Sequence, residues 1–164
     1  MKLLIGIAIV CFSTYCGRFF SKKYLRRKRF FGQIYDFNER YLNEMSYYRR
    51  PLSAFLQKYS YQGEFSALLA CFFEDLSQKT TKKTAMNDCL SAYDFLTGDE
   101  KSLIGDYFQM VGKGDSLSQK EYFSSVRTSL LKFRDQTAEE GEKYGKLYLK
   151  LGFLCGLTLL IIIV

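Results

Sequence analysis

Apolar residues crowd both ends of the chain, while the residues between them are polar and helical in pattern. Leu3 to Gly17 is almost entirely apolar, and Leu151 to Val164 carries no charge. A membrane-spanning helix needs roughly 20 apolar residues to cross about 30 Å of hydrocarbon. Both ends are shorter than this, but Arg18 and Lys150 can extend towards the headgroups and lengthen the buried stretch. The pattern predicts a membrane-spanning helix at each end.

The residues between the apolar ends have a period near 3.6 and no strand-like alternation. A first apolar stripe stops before Pro51, which ends one helix and suits the first turn of the next. Further helices are separated by Gly63, by a polar loop at residues 78–83 and by Gly112. Thr97 and Glu100 have the spacing of a capping box, and Ser118 with Glu121 gives a second possible one. The apolar stripes predict the core of a compact helical bundle.

These two patterns together predict an all-α protein with three parts. The parts are a transmembrane helix at residues 1–20, a helical bundle at 21–146 and a second transmembrane helix at 147–164. A cleaved signal peptide is the alternative for the first part. Such a peptide carries its positive charge before the apolar stretch, whereas here only Lys2 precedes it. A retained anchor is therefore the interpretation that we favour.

Basic residues beside the apolar ends predict the orientation. Lys and Arg that flank a span stay on the cytoplasmic side. Lys143, Lys146 and Lys150 precede the second apolar end. The basic residues beside the two apolar ends therefore place the bundle in the cytoplasm. We expect the basic residues that follow the first apolar end to lie at the membrane surface and to attract anionic lipid. These residues are Arg18, Lys22, Lys23, Arg26, Arg27, Lys28 and Arg29.

The net charge of +7 arises mainly from the first third of the chain. Binding of nucleic acid is an alternative reason for such a basic run. No stacking module or helix-turn-helix signature accompanies it, and a run beside a membrane span is expected from topology alone. We therefore expect no nucleic-acid partner.

The residue types that usually carry chemistry are scarce. The chain has no His, which removes the commonest general base and metal ligand. Cys11, Cys16 and Cys155 fall in the apolar ends, and Cys71 and Cys89 fall on apolar helix faces, where free Cys behaves as a small hydrophobe. A cytoplasmic domain would keep them reduced. We expect a protein that is not an enzyme, with no catalytic residue, cofactor, metal or small-molecule substrate.

The second apolar end contains a G-x-x-x-G spacing. Gly152 and Gly156 lie one helical turn apart, so they predict a surface for close helix packing inside the membrane.

Five segments in chain order resemble the stage III sporulation protein AB family of endospore-forming bacteria. They are residues 1–17, the run Tyr48-Arg49-Arg50-Pro51-Leu52, residues 111–115, the pair Ser118-Gln119, and LGFLCG at residues 151–156. The second segment matches the family's Y-G-x-T-P-L only in Tyr, Pro and Leu, and the third follows its L-G-x-x-D turn. Gly114 and Tyr122 stand where the family often has His.

This resemblance implies a component of the channel-like complex that links mother cell and forespore. It implies a location in the mother-cell membrane around the forespore, and a bundle similar to the cytoplasmic domains of type II secretion and type IV pilus platform proteins. The implied partners are a secretion-type ATPase of the same operon and other membrane proteins of the channel. We expect a non-enzymatic scaffold. A platform subunit of a type II secretion or type IV pilus-like machine is the alternative.

Six residues match the family outside the predicted core and are candidates for partner contact. Pro51 and Gly112 also have sufficient backbone reasons for their positions, so a purely structural role for the set stays open. The six are Tyr48, Pro51, Leu52, Gly112, Asp115 and Gln119.

Overall fold

Helices form all the regular structure in the described part of the chain, as the sequence pattern predicts. The computed structural model describes residues 2–48, 52–78, 84–113 and 116–163. The all-α prediction is confirmed, since these ranges contain no strand. The elements are α1 (Lys2–Asn43), a π-helical turn (Glu44–Tyr48), α2 (Leu52–Lys58), α3 (Gly63–Gln78), α4 (Thr84–Ser91), α5 (Gly98–Met110) and α6 (Ser116–Ile163).

Local signals set the boundaries of several helices. Gly63 opens α3 with φ 62°, and Gly112 follows α5 with φ 77°, a backbone region that glycine enters without a Cβ clash. The predicted capping box before α5 is confirmed. The Glu100 N–H donates to Oγ1 of Thr97 over 3.4 Å, and the Thr97 N–H donates to Oε2 of Glu100 over 2.8 Å.

The start of α6 differs from the prediction. This helix begins at Ser116, so the capping box predicted at Ser118 is wrong, because Ser118 already lies inside the first turn. Pro51 and most of the predicted polar loop, residues 79–83, lie outside the described residues.

The chain divides into two compact units. One contains Met1–Arg29 and Asp135–Val164, and we call it the terminal helix pair; the other is Phe30–Arg134, the central bundle. In the terminal helix pair, α1 and α6 run antiparallel, since Gly6 approaches Leu160 while Lys28 approaches Gly141.

Aromatic side chains build the core of the central bundle. Phe37 is fully buried, and the ring centroids around it lie 5.4 to 6.2 Å away. Three of these contacts are edge-to-face, an arrangement that stabilises a core beyond the area that it buries. The rings belong to Tyr41, Phe55, Tyr61, Phe65, Tyr107 and Phe108.

Three core residues escaped the periodic pattern. Phe31 is fully buried and its ring stacks on that of Phe133 at 5.3 Å. Phe95 and Leu96 are buried although they lie in the turn between α4 and α5. A turn has no helical period, so only the tertiary fold reveals that these two side chains enter the core.

One expectation about the cysteines is wrong. Cys71 on α3 and Cys89 on α4 form a disulfide, with their Cα atoms 6.9 Å apart. Their apolar helix faces predict two separate small hydrophobes, and the sequence spacing of 18 residues gives no sign that the two helices bring them together. Cys11, Cys16 and Cys155 are free.

Candidate functional site

A hydrogen-bonded network joins three elements of the central bundle at the turn after α5. The hydroxyl of Tyr41 donates to Oε1 of Gln119 over 3.1 Å and accepts the N–H of Gly112 over 3.3 Å. Nε2 of Gln119 donates to the Lys113 carbonyl over 2.5 Å. The turn is thus tied to both α1 and α6.

Leu52 completes this arrangement. A Cβ added to Gly112 would lie 3.0 Å from Cδ2 of Leu52, so the first residue of α2 packs against the glycine turn. The structure therefore brings together three of the candidate contact residues, namely Leu52, Gly112 and Gln119. Pro51, Asp115 and the side chain of Tyr48 lie outside what the structure describes.

Two exposed apolar side chains lie close in the chain to candidate contact residues, and neither is among the residues predicted from the sequence. Tyr47 in the π-helical turn is 80% exposed, and Leu117 in the first turn of α6 is 66% exposed. Leu117 lies two residues before Gln119, and Tyr47 lies next to Tyr48. The signal in the sequence that could have found them is a large apolar residue that lies outside the apolar stripes of the helices. We call Tyr47, Leu52, Gly112, Leu117 and Gln119 the turn surface, in which Gln119 is the buried member.

Burial perturbs the tyrosine of the network. Desolvation raises the pKa of Tyr41, and the hydrogen bond from the Gly112 N–H opposes this rise. The hydroxyl therefore stays protonated at neutral pH and acts as a donor to Gln119.

A second network holds the middle of the central bundle together. Nδ2 of Asn38 donates to the Phe123 carbonyl over 3.3 Å, and the hydroxyl of Tyr107 donates to Oδ1 of Asn38 over 3.2 Å. Asn38 and Tyr107 are fully buried, and desolvation raises the pKa of Tyr107 well above its ordinary value. Asn38 is not among the residues predicted from the sequence, although a polar residue on an apolar helix face is a signal that could have found it.

Small residues allow the backbones of the terminal helix pair to touch. A Cβ on Gly17 would lie 2.5 Å from the Tyr148 carbonyl oxygen and 3.2 Å from Cα of Gly152. The hydroxyl of Ser13 donates to the Gly152 carbonyl over 2.7 Å. A Cβ on Gly156 would lie 2.9 Å from Cα of Val10. Gly152 and Gly156 thus pack on α1 of the same chain.

The glycines at 141 and 145 have the same role. Glycine weakens a helix interior, but α6 runs unbroken through both positions. Gly141 lies against Lys28, and Gly145 lies against Ser21 and Leu25. They are contact positions of the helix pair.

The predicted membrane-surface cations fall into two groups. Arg27 pairs with Glu140 over 2.6 Å, and Lys28 pairs with Glu142 over 3.1 Å. The hydrogen bond from Lys28 lowers the pKa of Glu142. Arg18, Lys22, Lys23 and Arg29 are exposed, and Arg26 is partly buried. The structure therefore gives Arg27 and Lys28 a role in helix pairing.

The segment Leu117–Ile162 is long and apolar enough to cross a membrane, judged by length and composition. Only 11% of the most apolar stretch within this segment is buried, whereas the core helix of a soluble protein is mostly buried. This supports an association with a membrane. The first span, residues 1–20, stays a prediction.

No group of three or more His, Cys, Asp or Glu side chains is placed to hold a metal ion within the described residues. The polar groups of the turn surface and of the Asn38 network hold backbone segments in place.

The two units define an all-α protein whose chain ends pair as close-packed apolar helices. A family model described as stage III sporulation protein AB matches residues 2–164, essentially the whole chain. The chain therefore belongs to the stage III sporulation protein AB family. No curated protein and no solved structure gives a significant match.

Proposed function

We propose that this chain is a non-enzymatic scaffold in the membrane of the channel complex that links mother cell and forespore, and that it couples this channel to a cytoplasmic ATPase. The observation that carries the proposal is the family match over residues 2–164, since the family is one of stage III sporulation proteins. The absence of His from the chain and the structural use of the buried polar groups support a role without chemistry.

The proposed topology has two spans with the central bundle in the cytoplasm. The paired terminal helices support it, because close glycine contacts are typical of helices that associate inside membranes. The cations that flank both apolar ends favour the cytoplasmic side. The disulfide between Cys71 and Cys89 argues in the opposite direction, because such bonds persist mainly in oxidising compartments. The thiol experiment described in the Discussion separates the two.

The turn surface is the proposed contact site for the ATPase. Its exposed side chains include Tyr47 and Leu117, and a tyrosine with a rigid apolar body is a common anchor in protein interfaces. The hydrogen bonds around Tyr41 hold the turn in place. Little conformational entropy would therefore be lost when a partner binds there.

Co-purification from sporulating cells tests the proposal. We expect the tagged protein to retain the secretion-type ATPase of its operon together with channel membrane proteins, and we expect deletion of the chain to block spore formation. The double variant Tyr47→Ser with Leu117→Ser should lose the ATPase while staying in the membrane. The variant Ser102→Ala with Ser124→Ala, which changes exposed positions elsewhere on the central bundle, should retain it.

Normal spore formation without the chain, or no ATPase in the purified complex, would overturn the proposal. Pilins and a prepilin peptidase in the purified complex would instead identify a platform subunit of a secretion or pilus machine.

A further inference from the structure

We propose that exposed cations from the two terminal helices form one binding site for anionic phospholipid headgroups. We call this site the cationic collar. The inference rests on the membrane topology proposed above, and it adds which lipids are bound and which cations bind them. The collar consists of Arg18, Lys22 and Lys23 on α1 and of Lys143, Lys146 and Lys150 on α6, all of which are exposed.

The antiparallel register places both sets of cations at one level of the helix pair. Gly17 touches Gly152, and Ser21 lies against Gly145. The ring of Tyr24 lies 5.3 Å from that of Tyr144. Residues 18–23 of α1 therefore face the part of α6 that carries the three lysines.

No acidic residue lies within the band of the collar. Residues 17–26 and 143–150 contain no Asp or Glu. The nearest acidic residues on α6 are Glu142 and Glu140, which pair with Lys28 and Arg27. Glu142 also attracts Lys146 electrostatically. The sequence presents a single basic run, but the structure divides it into cations that hold the helices together and cations that face outwards.

Aromatic and apolar side chains adjoin the collar, which favours lipid over a free phosphate or a nucleic acid. The ring of Phe20 lies 6.0 Å from that of Tyr148, and aromatic rings concentrate at the level of the headgroups. Phe12, Tyr15 and Leu154 continue the exposed apolar surface towards the chain ends. A phospholipid can place its anionic phosphate against the cations of the collar and its acyl chains against the apolar surface, whereas a nucleic acid can interact only with the cations.

Lipid retention tests the proposal on the full chain. The protein is incorporated into nanodiscs made from an equal mixture of phosphatidylcholine and phosphatidylglycerol and then extracted gently, and the co-purified lipids are counted by mass spectrometry. We expect retained phosphatidylglycerol to exceed phosphatidylcholine. In the triple variant Lys22→Gln, Lys23→Gln, Lys146→Gln, the amount of retained phosphatidylglycerol should fall at least about threefold, because each cation near an anionic surface adds to the attraction.

The matched control removes the same charge elsewhere. The variant Lys113→Gln, Lys120→Gln, Lys132→Gln changes exposed lysines of the central bundle and should retain phosphatidylglycerol like the unaltered protein. An equal loss in both variants, or no loss in either, would overturn the proposal. So would displacement of the lipid by inorganic phosphate or duplex DNA at moderate concentration.

Neutral nanodiscs separate this proposal from the topology on which it rests. A chain that enters phosphatidylcholine discs but shows no preference for phosphatidylglycerol refutes the collar alone. A chain that does not enter neutral discs refutes the membrane topology itself.

Discussion

The hydroxyl of Tyr41 lies 3.1 Å from Oε1 of Gln119 and 3.3 Å from the N–H of Gly112, so one phenol fixes the turn between α5 and α6. Tyr41→Phe leaves both partners without that hydroxyl. We expect the free energy of unfolding to fall by about 1–3 kcal/mol, which is the cost of buried groups left unpaired. Urea unfolding of the purified chain in detergent measures the change.

Tyr47→Phe is the matched control for this prediction, because Tyr47 is 80% exposed and a surface change of this kind alters stability by less than about 0.5 kcal/mol. Equal stability of the Tyr41→Phe variant and the unaltered protein would show that the Tyr41 network contributes nothing.

Close packing of the terminal helix pair depends on Gly17. In Gly17→Ala the new Cβ would lie 2.5 Å from the Tyr148 carbonyl oxygen, so the helices must separate. We expect a loss of about 1–3 kcal/mol, as for other overpacked contacts, measured by thermal unfolding in detergent. Gly32→Ala on the same helix is the control. It meets no atom within 4 Å, and alanine should stabilise the helix there by up to about 1 kcal/mol. If Gly17→Ala is also stabilising, the helices do not pack in this way.

Asn38 makes two buried hydrogen bonds, one that joins α1 to α5 through Tyr107 and one that joins α1 to α6 through the Phe123 carbonyl. Asn38→Ala removes the partner of Tyr107 and of the Phe123 carbonyl, and we expect a loss of about 2–4 kcal/mol in the free energy of unfolding. The exposed Asn43, the last residue of α1, is the control, and its replacement by alanine should cost much less. Equal effects in a urea titration would contradict the network.

Alkaline pH should destabilise the central bundle through Tyr107. Burial raises the pKa of this phenol well above its ordinary value of 10.0. Below about pH 10 both folded and unfolded chains hold the proton and the contribution is complete. Above it the unfolded chain releases the proton first, so the free energy of unfolding falls by up to about 1.4 kcal/mol per pH unit.

Tyr107→Phe should remove part of this pH dependence. Unfolding by urea between about pH 8 and pH 11 gives the two slopes. Tyr41, Tyr61 and Tyr122 also have raised pKa values, mainly because of burial, so the remaining slope should not be zero. Identical slopes for the variant and the unaltered protein would show that Tyr107 does not titrate differently on unfolding.

The thiol state of Cys71 and Cys89 should report the compartment. Cytoplasmic proteins are kept reduced, so a central bundle in the cytoplasm predicts that the disulfide between Cys71 and Cys89 forms only on oxidation. When sporulating cells are lysed in acid to trap the thiols and then neutralised in denaturant, both thiols should react with a mass-shifting alkylating agent. Replacement of Cys11, Cys16 and Cys155 by alanine leaves Cys71 and Cys89 as the cysteines that can react. A pair that reacts only after reduction would place the central bundle outside the cytoplasm. Oxidation of the purified protein should raise its free energy of unfolding by about 3 kcal/mol.

Local features of the sequence predicted much of this architecture. The helical period predicted every helix of the central bundle, and the capping box at Thr97 and Glu100 and the stop at Gly112 were predicted from local chemistry. Such features depend on residues within one turn of each other, so they can be seen in the chain alone. The choice of Leu52, Gly112 and Gln119 as candidate contacts came from the family resemblance.

Contacts between distant segments were decided by the tertiary structure. Cys71 meets Cys89, Gly17 meets Gly152, and Arg27 meets Glu140. Phe95 enters the core from a turn. No local period encodes these pairs, since they depend on which helix faces are brought together and in what register. The amino-acid sequence by itself thus determined the helices and the apolar ends of this protein, while only the fold decided which cations pair with acids and which remain exposed, because that depends on the register between α1 and α6.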